Sequence, residues 1–286
     1  MKSQLEARIP DKDWSSLTLG ERIRHIEVEG YLVIPDLLSP KHIDKLKAET
    51  KAINTSRVDY SEKQQVAEDE EEIMYHGGEL SKLIAHSPTI AFLKVLFGDE
   101  IIMMSYSYAR SEPGHPGISL HSDGQPWSSK IFGYRFSCPR LIRVLYYLDD
   151  LTPEVSPFRV LPRSHLSFHN EGNPYMRYEE HPEQLMVTCK RGSAVLINQN
   201  VFHGNFPNTG DHPREMLAIA YRPSWAGPAG EIDSRDAEKV ARLSPEIQAI
   251  LGDPNTRIWM HDNPNKPDHM AKDAPGINPS RWDRVH

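Results

Sequence analysis

Between Ile101 and Tyr221 the chain repeats one pattern: short apolar runs separated by Pro, Gly and Asp turn signals. Runs such as Ile101-Ile102-Met103-Met104 and Ala194-Val195-Leu196-Ile197 are strand-length and lack the longer spacing of an amphipathic helix. So many short strands in succession predict an all-β core closed into two sheets, a double-stranded β-helix (jelly roll, cupin-like), with helices only at its periphery. The 286 residues, 38% of them hydrophobic, can build a substantial core of this kind without requiring a second domain.

Two of these strands carry chemistry. His121-Ser122-Asp123 follows the strand around Ile101–Tyr108 and precedes the turn signal Gly124-Gln125-Pro126; His203 follows the apolar run from Gly192 to Ile197 and is itself followed by Gly204. Residues two apart on an extended strand point the same way, so His121 and Asp123 share a face. With His203 they make a two-histidine, one-carboxylate set, which suits non-haem iron(II) and leaves positions for a co-substrate and dioxygen. Arg214 lies 11 positions beyond His203 (214 − 203) and supplies a planar, permanently charged fork that can clamp a carboxylate. A metal with open positions beside such a clamp predicts an oxygenase that consumes a 2-oxo acid.

H-x-D is a common tripeptide, and with 14 histidines in the chain it carries little weight alone. The weight comes from finding both histidines at the ends of apolar strands. His115, His169, His181, His212, His261 and His269 sit instead among Pro, Gly, Asn and Asp and read as loop residues, and His165 reads as structural. A net charge of −7 and pI near 6.1 argue against nucleic acid or an anionic membrane as partner. No run of about 18 apolar residues is present, and the first residues lack the apolar stretch of a signal peptide. Cys138 and Cys189 are too few for a disulfide framework, so the reading is a cytoplasmic protein.

Helical signals flank the strands. Thr18-x-x-Glu21 is a capping box, and Ser39-Pro40 starts a helix extending to about Ala52. Residues 55–78, with Glu68-Asp69-Glu70-Glu71-Glu72, read as a solvated loop or a lid. Leu80–His86 and Ile90–Phe97 read as two short helices ended by Gly98. The expected division is 1–225 for the jelly-roll domain and 226–286 for a C-terminal extension. Helix signals at 237–243 and 245–251, with Trp259, Met260 and Trp282, suggest that this extension packs on the body or on a second copy, giving a homodimer.

Several segments resemble the phytanoyl-CoA dioxygenase family of iron(II)- and 2-oxoglutarate-dependent dioxygenases. Glu29–Ser39 is similar to that family's opening strand and helix start. Leu148-Asp149-Asp150-Leu151-Thr152-Pro153-Glu154 with Arg159–His165 is similar to its central hairpin, and Gly192–His203 with Asn208–Tyr221 to its last core strands. The resemblance covers about residues 22–225. It implies His121, Asp123 and His203 as iron ligands, Arg214 on the distal carboxylate of 2-oxoglutarate, dioxygen as oxidant and ascorbate as activator. It implies no catalytic residue beyond the ligands, and the products are succinate, carbon dioxide and an oxidised, most simply hydroxylated, small molecule. Desaturation, cyclisation or epimerisation would use the same ligands. The carboxylate at Asp123 argues against a halogenase, since related halogenases leave that position open.

Departures cluster around the expected cavity. Asn205 stands where the family often has Ser or Thr, and it can still serve 2-oxoglutarate. Tyr106 and Tyr108 share a face that either lines the cavity or fills the core; Tyr108 is assigned to the oxo acid. Leu145 replaces the family's Trp before the Leu-Asp-Asp segment, with Arg143 and Tyr147 on the same strand face. Gln125 and Trp127, just past the metal motif, and Arg143 and Arg222 are assigned to substrate. The acidic stretch at 62–78, with only Lys63 and then Lys130 to offset it, would repel a coenzyme A tail. It favours a free small molecule, amine-bearing or a natural-product intermediate, over an acyl-CoA thioester. A non-catalytic barrel is opposed by the intact ligand set, and a cupin-type metalloenzyme that does not use 2-oxoglutarate has no need of Arg214.

Overall fold

A computed structural model describes residues 7–61, 64–69, 72–123, 139–166, 181–226 and 235–252, with 57–61 and 64–69 described as backbone only. The chain opens on α1 (Leu19–Glu29), where the Thr18 hydroxyl accepts from Glu21 N and the Glu21 carboxylate accepts from Thr18 N. Gly30 ends this helix at φ 84 and turns the chain into β1 (Tyr31–Ile34). A Cβ at Gly30 would stand 2.6 Å from His165 Nδ1, and His165 Nε2 meets the Glu27 carbonyl at 2.8 Å, so that buried histidine packs against the helix end. Next come α2 (Pro40–Thr50), β2 (Thr55–Ser61), β3 (Gln64–Asp69), α3 (Gly78–Leu83) and α4 (Ser87–Phe97).

The core then runs β4 (Ile101–Ser111), β5 (Ile118–His121), β6 (Ile142–Tyr147), β7 (Phe158–Leu161), β8 (Leu185–Val187), β9 (Ala194–Asn198), β10 (Phe202–Asn205) and β11 (Arg214–Pro223). They form a seven-stranded sheet, β1-β9-β6-β11-β4-β3-β2, and a four-stranded sheet, β5-β10-β7-β8, all antiparallel. This is the predicted jelly roll. The stretch at 55–78 departs from its reading as a loop: most of it is the hairpin β2–β3, joined to β4 by Ala67↔Arg110 and Glu68↔Ala109. Main-chain hydrogen bonds hold such an edge, so it needs no apolar alternation and its charged composition guards the edge.

Register fixes which face of the large sheet looks inward. Arg143, Leu145 and Tyr147 of β6 lie opposite Ala220, Ala218 and Met216 of β11, which lie opposite Ser105, Ser107 and Ala109 of β4. The other face carries the helices. There the Tyr106 hydroxyl donates to the Leu80 carbonyl at 3.0 Å, Tyr221 to the Ile84 carbonyl at 2.9 Å, and Tyr146 to Thr89 Oγ1 at 2.8 Å. Three phenols thus pin α3 and α4 to the sheet, each bond contributing on the order of 1 kcal/mol. Past β11, α5 (Ala237–Ala241) and α6 (Pro245–Leu251) match the sequence expectation, and α6 buries Ile247, Ile250 and Leu251 in the main core. Residues 253–286, with Trp259, Met260 and Trp282, lie outside the described residues.

Candidate metal centre and carboxylate clamp

β10 runs down the middle of the small sheet, between β5 and β7, and His203 pairs directly with His121. Their rings sit 4.4 Å apart, centroid to centroid. β5 ends at His121, and Asp123 follows just past the strand end with its carboxylate turned back to both histidines: Oδ1 is 3.6 Å from His121 Nε2 and Oδ2 is 3.6 Å from His203 Nε2. The ligand atoms of all three residues fall within 4.8 Å of one another.

The backbone sets the histidine tautomers. His121 Nδ1 donates to the Ser119 carbonyl and His203 Nδ1 to the Val201 carbonyl, both at 3.0 Å. With Nδ1 protonated, each Nε2 lone pair is left for the space beside Asp123. Burial drives the His203 pKa down to about 4, with Asp123 opposing the shift, so its imidazole is neutral at pH 7 and ready to ligate. Burial alone would raise the Asp123 pKa, but His203, Arg143 and His121 outweigh it and hold the carboxyl below its ordinary value. Asp123 Oδ2 is buried and forms no aligned hydrogen bond among the described residues, with the Arg143 guanidinium as an ion-pair partner, Nε at 3.3 Å. Two imidazole lone pairs and one carboxylate oxygen facing a common point fit a divalent cation.

Gly204 makes this geometry possible. It sits where the register between β10 and β5 shifts, and an added Cβ would lie 2.2 Å from the Ile118 carbonyl oxygen and 2.8 Å from that of Ser119. Gly204→Ala must push β10 away from β5 and take His203 with it. The expected cost is about 1–3 kcal/mol of stability, read as a fall in melting temperature, together with weakened metal binding.

Asn205 and Arg214 stand further along the barrel. Arg214, at the start of β11, is 1% exposed. Nη1 meets Met216 Sδ at 3.4 Å, Nε has no partner, and no carboxylate of the described residues forms an ion pair with it. Burial lowers its pKa, yet an arginine stays charged. In the hydrogen-bonding orientation of its amide, Asn205 Oδ1 accepts from Arg214 Nη2 at 3.2 Å while Nδ2 donates to the Gly204 carbonyl at 3.0 Å. Asn205 therefore turns its carbonyl, not its amine, towards the clamp. Asn205 lies two residues along β10 from His203, about 7 Å Cα to Cα, so the two side chains share a strand face.

Other sequence assignments fall differently. Tyr108 lies on the helix-bearing face, where its hydroxyl donates to Glu215 Oε2 at 2.6 Å, so it is withdrawn from the oxo-acid site. Glu215 also meets Lys47 Nζ at 3.1 Å, and its backbone N donates to Asp149 Oδ2 at 2.8 Å, a half-buried network next to Arg214 in the chain. Arg222 is fully buried and tied to its own chain: Nη1 donates to the Ala226 carbonyl at 2.6 Å and Nε approaches Met104 Sδ at 2.9 Å. It braces the exit from β11 instead of facing a substrate. Arg143 does face the metal centre, with Nε 3.3 Å from Asp123 Oδ2. Gln125 and Trp127 lie outside the described residues.

A sequence model described as phytanoyl-CoA dioxygenase (PhyH) matches residues 26–216, more than half of the chain. The chain belongs to the phytanoyl-CoA dioxygenase family. It is 20% identical over 233 residues to ectoine dioxygenase of Nocardia farcinica (strain IFM 10152), spanning 71% of this chain and 77% of the relative. Its fold is similar to the non-haem α-ketoglutarate-dependent epimerase SnoN from nogalamycin biosynthesis, with a TM-score of 0.60, 16% identity and coverage of 77% of this chain and 90% of SnoN. It is also similar to HygX of Streptomyces hygroscopicus, solved with nickel, 2-oxoglutarate and hygromycin B, with a TM-score of 0.58, 17% identity and coverage of 78% and 94%. As a phytanoyl-CoA dioxygenase family member with the His121, Asp123 and His203 cluster in place, this chain is an iron(II)- and 2-oxoglutarate-dependent dioxygenase.

Proposed function

We propose that this dioxygenase hydroxylates an unactivated C–H bond of a free small molecule. His121, Asp123 and His203 would hold iron(II), Arg214 would hold the distal carboxylate of 2-oxoglutarate, dioxygen would be the oxidant and ascorbate an activator. The observation that carries this reading is a buried, ion-pair-free arginine whose Nη2 meets Asn205, two residues along β10 from the ligand His203. When bound, the metal and oxo acid supply oxidising power by converting 2-oxoglutarate and dioxygen to succinate and carbon dioxide as the substrate C–H bond is oxidised.

The chain's own residues do the rest. The Ser119 and Val201 carbonyls hold both ligating rings in one tautomer. Arg143 steadies the Asp123 carboxylate and stands where a substrate polar group would arrive. Ser105, Ser107, Ala218 and Ala220 keep the inner wall low, leaving room for a substrate beside the metal. Phe158, 6.0 Å from the His203 ring, and Leu145 present an apolar wall that excludes water.

A free, amine-bearing or natural-product substrate is favoured by the acidic composition at 62–72 and by the small molecules that the relatives' names carry: ectoine, nogalamycin and hygromycin B. The test is a substrate screen with iron(II), ascorbate and 2-oxoglutarate, reading succinate. The expected result is one-to-one coupling with a free small molecule and none with acyl-CoA esters; coupled turnover of an acyl-CoA would overturn the substrate class.

A further inference from the structure

Tyr147 closes β6 on the inner face, opposite Met216, which lies two residues along β11 from Arg214. Its hydroxyl is buried and has no hydrogen-bond partner among the described residues. Four other core phenols behave differently: Tyr106, Tyr108, Tyr146 and Tyr221 each donate to an oxygen at 2.6–3.0 Å. Leaving a buried hydroxyl unsatisfied costs about 1–3 kcal/mol, and an uncompensated buried cation costs more. Here both deficits stand side by side, with the Arg214 guanidinium carbon 5.7 Å from the Tyr147 ring centre. One water could satisfy the phenol but would leave the cation without a counter-charge. A carboxylate meets both needs, one oxygen for the guanidinium and the other for the phenol.

Asn205 sharpens the assignment. Its carbonyl accepts from Arg214 Nη2, so it orients the arginine and turns no donor to the anion on that side. With no donor from Asn205, the Tyr147 hydroxyl is the buried, unpartnered hydroxyl beside Arg214 among the described residues. We propose that Tyr147 donates the second hydrogen bond to the distal carboxylate of 2-oxoglutarate, so that an Arg214–Tyr147 pair selects the co-substrate. This rests on the reading of Arg214 given above.

The experiment is calorimetric titration of the nickel-loaded protein with 2-oxoglutarate and, separately, with 2-oxobutyrate, which lacks the distal carboxylate. Tyr147→Phe should weaken 2-oxoglutarate by about ten- to a hundredfold, the loss of one charge-assisted hydrogen bond. It should leave 2-oxobutyrate within twofold. The metal-free variant should melt no lower than wild type, because the hydroxyl removed has no partner to lose. A 2-oxoglutarate affinity within twofold of wild type, or an equal loss on both acids, overturns the proposal. If wild type binds 2-oxoglutarate and Arg214→Lys weakens it while Tyr147→Phe does not, only the Tyr147 assignment falls. If nickel-loaded wild type does not bind 2-oxoglutarate at all, the co-substrate reading falls with it.

Discussion

In the Asp123→Ala variant, iron(II) binding and succinate release fall to background. Asp123 supplies the only carboxylate of the cluster, bridging the Nε2 atoms of His121 and His203 at 3.6 Å each. Without it two neutral imidazoles remain, with no anionic charge to offset a divalent cation. Loss of a group that merely orients a ligand typically lowers metal affinity ten- to a hundredfold, and loss of a ligand exceeds that. Asp123→Glu should be nearly as poor, since its extra methylene carries the oxygen more than an ångström past a position tolerant to about 0.2 Å. Metal content after equilibration with excess iron(II) and titration calorimetry check this. Wild-type turnover at saturating iron in Asp123→Ala would refute the ligand set.

Arg214→Lys should raise the KM for 2-oxoglutarate about ten- to a hundredfold, as expected when a charge-assisted bond worth roughly 1.5–3 kcal/mol is lost. The charge survives, but the planar fork does not. The shorter side chain would also give up the contacts of Nη2 with Asn205 and of Nη1 with Met216 Sδ. Once 2-oxoglutarate saturates the variant, kcat should recover far more than kcat/KM, because in the proposed site Arg214 would hold an end of the co-substrate remote from the reacting carbon. Steady-state kinetics varying 2-oxoglutarate alone distinguish the cases. A KM within twofold of wild type would move the oxo acid to another cation.

Much of the site was legible because its chemistry follows strand periodicity. His121 and Asp123 two apart, and a second histidine beyond a separate apolar strand, pointed to one cluster, although β5 ends at His121 with Asp123 turned back past it and His203 sits on its own strand, β10. The tyrosines show the limit. Alternation says that Tyr106 pairs with Tyr108, and Arg143 with Tyr147, but not which pair looks inward. β4 gives no help, since Tyr108 and Ala109 are both buried while pointing to opposite faces. Only the pairing of β6 with β11 brings Tyr147, not Tyr108, to the side of Arg214. Arg222 misled for a related reason: it shares parity with Arg214, but the chain past β11 folds its own carbonyls around the guanidinium. The β2–β3 hairpin was hidden by composition, because an edge held by main-chain bonds needs no apolar stripe.

The Lys47–Asp149–Glu215–Tyr108 network lies on the outer side of the sheet, while its neighbour Arg214 acts on the inner side. The inner face of the same sheet carries Ser105, Ser107, Ala218 and Ala220, none of which belongs to that network. Enlarging any of these four should reshape the proposed substrate space without touching the residues of that network. A lineage carrying this scaffold can therefore exchange one target molecule for another by altering short side chains, with no need to rebuild how the oxidation is driven. Selection on what is oxidised and selection on what powers the oxidation fall on different residues of the same strands.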